Sequence, residues 1–345
     1  MNWQTILHDD PLPWLLEEDP LNPGVRYFAL RDLVGMPAHA PELIAAQQAV
    51  MSTGPVPAIL AQQHPDGYWI QPGYLPKYQG TMWAFIFLAQ LGAAGSDPRI
   101  RRACEHLLDY APAEHGGLSL DGRNSGLIHC LQGNLCAALI DFGYLNDADC
   151  RSGRLQRALD WLARSITGEG IAPSAEKDAP VRYLRSGNSG PGFACSANNH
   201  LPCAWGAIKA LLPLSKMPAS QRTPAIDSAI QTGISFLFSR DPAAADYPMG
   251  YAAKPNQSWF KFGYPIFYIT DVLQNLEVLA ALGCAADTRL RPALELLLRK
   301  QDRQGRWPME YTYNGKTWVD VEEKGKPSKW VTLRALRVLH HAPPL

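Results

Sequence analysis

The chain has 345 residues, room for one large helical barrel, and 46% of them are hydrophobic, enough for a sizeable core. Lys+Arg and Asp+Glu both number 32, so the formal charge is zero and no basic excess points to nucleic acid. No stretch approaches the roughly 18 apolar residues that span a bilayer, and the acidic, proline-broken start "MNWQTILHDDPLPWLLEEDP" lacks the basic and apolar regions of a secretory signal. Seven cysteines, odd in number and scattered through helical patterns, fit a reduced, cytoplasmic protein.

After an irregular lead-in over residues 1–20, "VRYFALRDLVG" (25–35) reads as a buried helix. Wet and buried helices then alternate. The wet "VPAILAQQ" (56–63) precedes the buried "YQGTMWAFIFLAQLGA" (78–93), and the wet "RIRRACEHLLDYA" (99–111) precedes "GLIHCLQGNLCAALIDFGYL" (126–145). "SGRLQRALDWLARS" (152–165) precedes "HLPCAWGAIKALLPL" (200–214), and "AIDSAIQTGISFLFS" (225–239) precedes "GYPIFYITDVLQNLEVLAALG" (263–283). Last come the wet "RLRPALELLLRKQ" (289–301) and the buried "KWVTLRALRVL" (329–339). The wet members carry apolar residues at i, i+3, i+4 and i+7 with charge opposite, and most buried members are richer in small and apolar residues. Between the last two helices, "MEYTYNGKTWVDV" alternates around Asn314-Gly315 and predicts a β-hairpin.

Gly67, Gly117, Gly170 and Gly305 all fall in turns that leave wet helices. Two of these turns share a pattern, Gln-x-x-x-Gly-x-Trp: Gln63, Gly67 and Trp69, then Gln301, Gly305 and Trp307. Glycine allows a left-handed helix end, tryptophan can pack under the turn, and glutamine can bond loop backbone. A helical pair that buries one face against its neighbours makes a solenoid or a closed ring. The expected fold is therefore all-α: one (α/α)6 toroid over residues 1–345, buried helices inside and wet helices outside, with the hairpin rising at one end.

These segments resemble the QW repeats of the terpenoid-cyclase and protein-prenyltransferase superfamily of α/α toroids. The copies at Gly67 and Gly305 are good; those at Gly117 and Gly170 are degenerate. The resemblance implies a central cavity for an isoprenoid or another apolar small molecule. The chain departs from squalene-type cyclases in lacking their Asp-x-Asp-Asp acid, of which "DADC" (Asp147 to Cys150) falls short. It has room for one barrel where those enzymes have two, and it lacks the Asp-rich magnesium motif of ionising terpene synthases. Protein prenyltransferases hold zinc with an Asp, a Cys at an inner-helix start and a His on the final inner helix. Cys203 resembles that Cys, but Val331, with Trp330 beside it, stands where the His would be. Lanthionine cyclases, also toroids, hold zinc on two Cys and a His, and "CAWG" is faintly similar to their motif.

A polar stripe on a buried helix must face a cavity or find a partner. Tyr264, Tyr268, Asp271 and Asn275 form one such stripe; Cys130, Asn134 and Asp141 form another. Sulfur and imidazole gather nearby: His129 and Cys130 open one buried helix, and Cys195, His200 and Cys203 lead into the next. A thiol in a first helical turn is favoured as thiolate, and thiolate with imidazole is a zinc set, so Cys130, Cys203 and His200 are candidate zinc ligands. Inert packing and a reactive thiol are the other readings of these cysteines. Asp271 is the candidate acid, Cys203 the candidate ligand or nucleophile, and Tyr268 the third candidate catalytic residue. Cys130, Asn134, Trp205, Tyr264, Asn275, Trp83 and Trp330 are expected in the cavity wall.

Aromatics at Tyr78, Trp83, Trp205, Trp259, Phe262, Tyr264 and Trp330 suit an apolar ligand, or simply a core. A second function class is a carbohydrate lyase or hydrolase, which would use Glu310, Asp320, Glu322 and Glu323 beside Tyr311, Tyr313, Trp318 and Lys329 in an open groove. A third is a binding or scaffold toroid with a plugged centre. Cavity shape separates the three, and the oligomeric state is not readable from the residues.

Overall fold

The computed structural model describes residues 3–145, 153–183 and 189–342, so "DADC" at 147–150 lies outside the described residues. Its helices in chain order are α1 (Leu12–Leu16), α2 (Pro23–Asp32), α3 (Pro41–Ser52), α4 (Pro55–Leu60), α5 (Thr81–Gln90), α6 (Pro98–Tyr110) and α7 (His129–Asp141). There follow α8 (Arg154–Thr167), α9 (Ala204–Lys216), α10 (Pro224–Leu237), α11 (Val272–Leu279), α12 (Arg291–Leu298) and α13 (Lys329–His341). One two-stranded antiparallel sheet, β1 (Ser189–Gly190) with β2 (Ala194–Cys195), sets Ser189 opposite Cys195.

Pattern decides burial. In α6 the buried residues are Ile100, Ala103, Cys104, Leu107 and Leu108, one stripe of a helix whose other face carries charge. α8 repeats this with Leu155, Ala158, Leu159, Leu162, Ala163 and Ile166. α5 has no wet face: every residue from Thr81 to Ala89 is buried. α7 and α13 are buried almost throughout. Side-chain caps fix several starts, with Thr223 before α10, Asp271 before α11 and Ser328 before α13 each accepting a first-turn N–H.

The buried helices pack in succession: α5 on α7, α7 on α9, α9 on α11, α11 on α13, and α13 on α2. Glycine permits the α7–α9 contact and a further approach of α2 to the end of α5. A Cβ on Gly133 of α7 would stand 1.9 Å from the Lys209 carbonyl of α9. A Cβ on Gly24 of α2 would stand 2.3 Å from the carbonyl of Leu91, the residue that ends α5. α8 and α10 pack on each other and on the buried row.

The two Gln-x-x-x-Gly-x-Trp turns share one geometry. Trp69 donates Nε1–H to the Ile59 carbonyl and Trp307 to that of Leu297, both at 2.8 Å and both ten residues back. Their backbone N–H groups go to Thr81 and Thr332 hydroxyls on the following buried helices, each at 3.0 Å. Gly67 and Gly305 are left-handed, at φ 96° and 69°. Gln63 Nε2 donates to Arg99 O, while Gln301 Oε1 accepts from His8 N.

Three expectations are corrected. The hairpin around Asn314-Gly315 does not form. Asn314 instead uses its amide on Val321 N–H and Glu322 O, Gly315 N–H reaches the Asp320 carboxylate, and Tyr311 pairs with Gly263. The buried helix expected over 263–283 starts only at Val272, since Pro265 interrupts the segment and Asp271 caps the start. Tyr264 and Tyr268 are therefore in the preceding loop, and no single helical stripe holds them with Asn275. Helix α3, "PELIAAQQAVMS", was absent from the expected set, whereas α4 buries Val56, Ile59 and Leu60, the i, i+3, i+4 stripe expected of a wet helix.

Candidate ligand chamber

Two cavities lie among the buried helices. The first, about 430 Å³, is walled by Trp83 and Ile86 of α5, Cys130, Leu131 and Asn134 of α7, and Cys203 to Gly206 at the start of α9. Loops complete it with Tyr74, Lys77, Tyr247, Trp259 and Tyr268. The second, about 400 Å³, takes a residue at or near the C-terminal end of all six buried helices: Asp32, Gln90, Asp141, Lys216, Ala281 and His341. The two meet at Ile86 and Asn134, which line both.

The first cavity is an aromatic chamber. Trp83 stands 5.1 Å from Tyr74 and 5.9 Å from Tyr268, ring centre to centre, and Trp259 stands 6.3 Å from Trp205 and 5.5 Å from Tyr247. Trp83 is fixed by donating Nε1–H to Tyr74 O at 2.8 Å. Lys77, at the exposed rim, donates to the Tyr268 hydroxyl at 3.4 Å. Two polar atoms are uncommitted. Asn134 donates Nδ2–H to Phe267 O at 2.7 Å, which orients the amide and leaves the buried Oδ1 without a partner. Trp205 Nε1 is buried and likewise unpartnered.

Thiols form one wall. Cys203 caps α9, its sulfur accepting from Gly206 N–H at 3.4 Å. Cys195 stands in the same wall, with Ser189 opposite it across the β1–β2 pair. The Cys203 hydrogen bond is foremost in drawing the Cys195 thiol down to about 6, while that same bond, then burial, drives Cys203 well up. Cys130, in the same wall, is pushed up to about 12 by burial and by its neighbour Cys195.

The second cavity is a charged chamber in which each carboxylate has a cation. Asp32 meets Arg337 at 2.5 Å and Arg31 at 2.5 Å, Asp141 meets Lys216 at 2.8 Å, and Glu277 meets Arg334 at 2.7 Å. Burial works against the charge of Asp32, but Arg337 and Arg31 outweigh it and hold the carboxyl at about 2. Behind this wall, Lys209 is wholly buried on α9 and donates to Gln274 Oε1. Burial lowers its ammonium to about 7, against the pull of Asp271.

The structure thus divides the expected site residues. Trp83, Cys130, Asn134, Cys203, Trp205 and Tyr268 all line the aromatic chamber. Tyr264 and Trp330 line the charged one, stacked at 4.2 Å, with Tyr264 O–H on Gln90 O and Trp330 Nε1–H on Asn22. Asp271 lines neither. Its carboxylate is bidentate to Arg334 at 3.0 Å and accepts from Gln274 and Gly263 N–H, so it is a structural anchor with no face left for a ligand. Asn275 is fully buried and donates to Tyr247 O–H at 3.1 Å, outside both cavities.

His200 is also outside both, its Nδ1 3.3 Å from the Tyr183 hydroxyl, and among the described residues no three His, Cys, Asp or Glu side chains are placed to hold a metal. The zinc set Cys130, Cys203 and His200 does not assemble. Three of the four carboxylates of the expected groove, Glu310, Asp320 and Glu322, are spent locally. Glu310 pairs with Lys300 at 2.6 Å, and Glu322 accepts from Ser328 O–H and from Lys329 and Trp330 N–H at the start of α13. Sequence reasoning passed over Lys77, Tyr74, Tyr247 and Lys209. Of these, Lys209 left a signal, a lone cation inside the apolar run "AIKALL".

No family model and no curated protein matches the chain. It resembles solved structures of a type II terpene cyclase. These are MstE from Scytonema without ligand (15% identity, TM-score 0.44, 93% of this chain and 87% of that one) and with geranylgeranyl dihydroxybenzoate as substrate (16%, 0.45, 94% and 87%). A third holds merosterolic acid A as product (16%, 0.44, 94% and 86%). Likeness at this level assigns no residue a role. Among the described residues, no helix is long and apolar enough to cross a membrane.

Proposed function

We propose that residues 1–345 form one (α/α)6 toroid with the six buried helices as its inner ring, and that this cytoplasmic protein binds an isoprenoid or another apolar small molecule in the aromatic chamber. The observation that carries the reading is the Asn134 oxygen, oriented and unpartnered in a wall built mostly of aromatic, aliphatic and thiol groups. The volume is within the usual range of small-molecule sites, roughly 300–1,000 Å³. An apolar chain would lie along Trp83, Trp205, Trp259 and Tyr268, with a hydroxyl donating to Asn134 Oδ1. Six helix ends around one cavity support the ring.

The role assigned is binding. An acid catalyst is not part of the reading, because Asp271 is sealed by Arg334. The sugar-processing reading loses its groove, since Glu310 and Glu322 are committed to Lys300 and the α13 start.

Titrating the chain with farnesol while following tryptophan fluorescence tests this. Saturable binding is expected, and Asn134→Leu should weaken farnesol about tenfold, the worth of one hydrogen bond to a buried acceptor, yet leave binding of the matching saturated hydrocarbon unchanged. No saturable binding of either compound overturns the reading.

A further inference from the structure

Part of the connection between α10 and α11, residues 247–259, closes one side of the aromatic chamber, and the hydrogen bonds that tie it down converge on one side chain. Its two ends are anchored in the core: Tyr247 and Trp259 are both buried, and their rings stand 5.5 Å apart. Tyr247 is held further by its O–H on Leu237 O at 2.8 Å. A surface loop whose ends meet in this way can move as a unit while the structure beneath it stays in place. From Asp246 to Pro255, no backbone N–H or carbonyl bonds another backbone group among the described residues. Tyr251 is 71% exposed and the three residues after it are exposed too, yet Pro248, Met249, Tyr251 and Asn256 all line the chamber.

The side chain that holds this loop is Asn198. Its Nδ2 donates to Pro248 O at 3.0 Å, and its Oδ1 accepts from Gly250 N–H at 3.0 Å. Nδ2 also donates to Pro202 O at 2.9 Å, which fixes the amide plane. Asn198 stands on a braced platform, where His200 N–H reaches Cys195 O at 2.8 Å and Cys203 N–H reaches Phe193 O at 2.9 Å. Gly250 completes the fit. A Cβ there would stand 2.5 Å from Asn199 Cβ and 2.6 Å from Asn198 O, so a side chain would lift the loop from the platform. We propose that residues 248–256 are the door of the aromatic chamber, through which apolar ligands enter and leave, and that Asn198 is the positioning residue that latches it. Opening breaks two hydrogen bonds to Asn198 and no backbone-to-backbone pairing. The latch is the same whether the chamber is full or empty, so it sets how fast ligands exchange and has little effect on how tightly they bind. The door rests on the reading that the chamber takes apolar ligands.

Stopped-flow tryptophan fluorescence with farnesol, on the full chain, reads both rate constants, and limited chymotrypsin digestion reads the door without a ligand. In Asn198→Ala, association and dissociation should each quicken about tenfold, the worth of two hydrogen bonds, while Kd stays within about threefold. Gly250→Ala should act in the same direction. The double variant should be no faster than the quicker single one, since both changes release one latch. Chymotrypsin should cut first after Tyr251, and several-fold faster in Asn198→Ala. Far-ultraviolet circular dichroism checks the fold of each variant. Unchanged rate constants in both single variants overturn the proposal. So do additive effects in the double variant, and so does a faster dissociation alone, which would mark a damaged wall. If farnesol shows no saturable binding but the cut after Tyr251 still quickens in Asn198→Ala, the latch stands, and the apolar-ligand reading falls and takes the door with it. If farnesol binds but neither its rates nor the cut responds to Asn198→Ala, the chamber stands and the latch falls.

Discussion

The two chambers have nearly the same volume and opposite chemistry. Helices α5, α7 and α9 run from one to the other, their first turns in the aromatic wall and their last residues in the charged wall. Helix C-termini carry partial negative charge, and six of them meet at the charged chamber, where Arg31, Lys216, Arg334 and Arg337 stand. There every carboxylate has its cation, so the polar groups are satisfied by one another. In the aromatic chamber Trp205 Nε1 has no partner, nor has Asn134 Oδ1 where the two chambers meet. Volume does not distinguish a ligand site from a structural one; uncommitted polar atoms in a formed wall do.

If the charged chamber is structural, damage there should fall on stability. Arg334→Met strips the partner from the buried Asp271 and the half-buried Glu277, and chemical denaturation should show a loss of about 3–5 kcal/mol. A loss under 1 kcal/mol would show the network to be dispensable.

Lys209 sharpens the contrast through pH. The folded chain gives up this proton near 7, while the unfolded chain holds it to about 10.5, so between those values the unfolded state binds more protons and stability rises with pH. Lys209→Met should remove that rise, which amounts to at most about 1.4 kcal/mol per pH unit. Parallel unfolding curves for both proteins at pH 7 and 9 are the check; equal slopes would mean that Lys209 holds its proton when folded.

The smallest effect is expected at the rim. Lys77→Gln should leave stability within about 0.5 kcal/mol, since the side chain is exposed. It should weaken binding of farnesoic acid several-fold while leaving farnesol unchanged, because Lys77 is the cation among the described residues of that wall. Equal losses for both ligands would place Lys77 in a packing role.

Helix positions were legible because amphipathic stripes such as Leu155 to Ile166, and all-apolar runs such as Thr81 to Ala89, encode burial directly. The turns were legible too, since Gly67 and Gly305 require left-handed backbone and Trp69 and Trp307 need an acceptor. The site was only half legible. Cys130 and Asn134 sit on a continuous helix, and helix phase brings both to the chamber. Asp271 and Asn275 misled because their phase was counted through Pro265, before the helix exists. Lys77, Tyr247 and Trp259 reach the chamber from loops, where no periodicity reports direction. The Asn-Gly hairpin failed because a side-chain amide can satisfy backbone groups as well as a strand can.

The contacts between α2 and α13 join residues some three hundred positions apart: Asn22 with Trp330 at 2.9 Å and Asp32 with Arg337 at 2.8 Å. On the ribosome, α2 emerges long before α13, the last of the described helices. Until then Phe28, which packs edge-on to Trp330, lacks that cover. The α2–α13 packing is therefore one that synthesis cannot finish piece by piece; the two helices must find each other after nearly everything between them has been made.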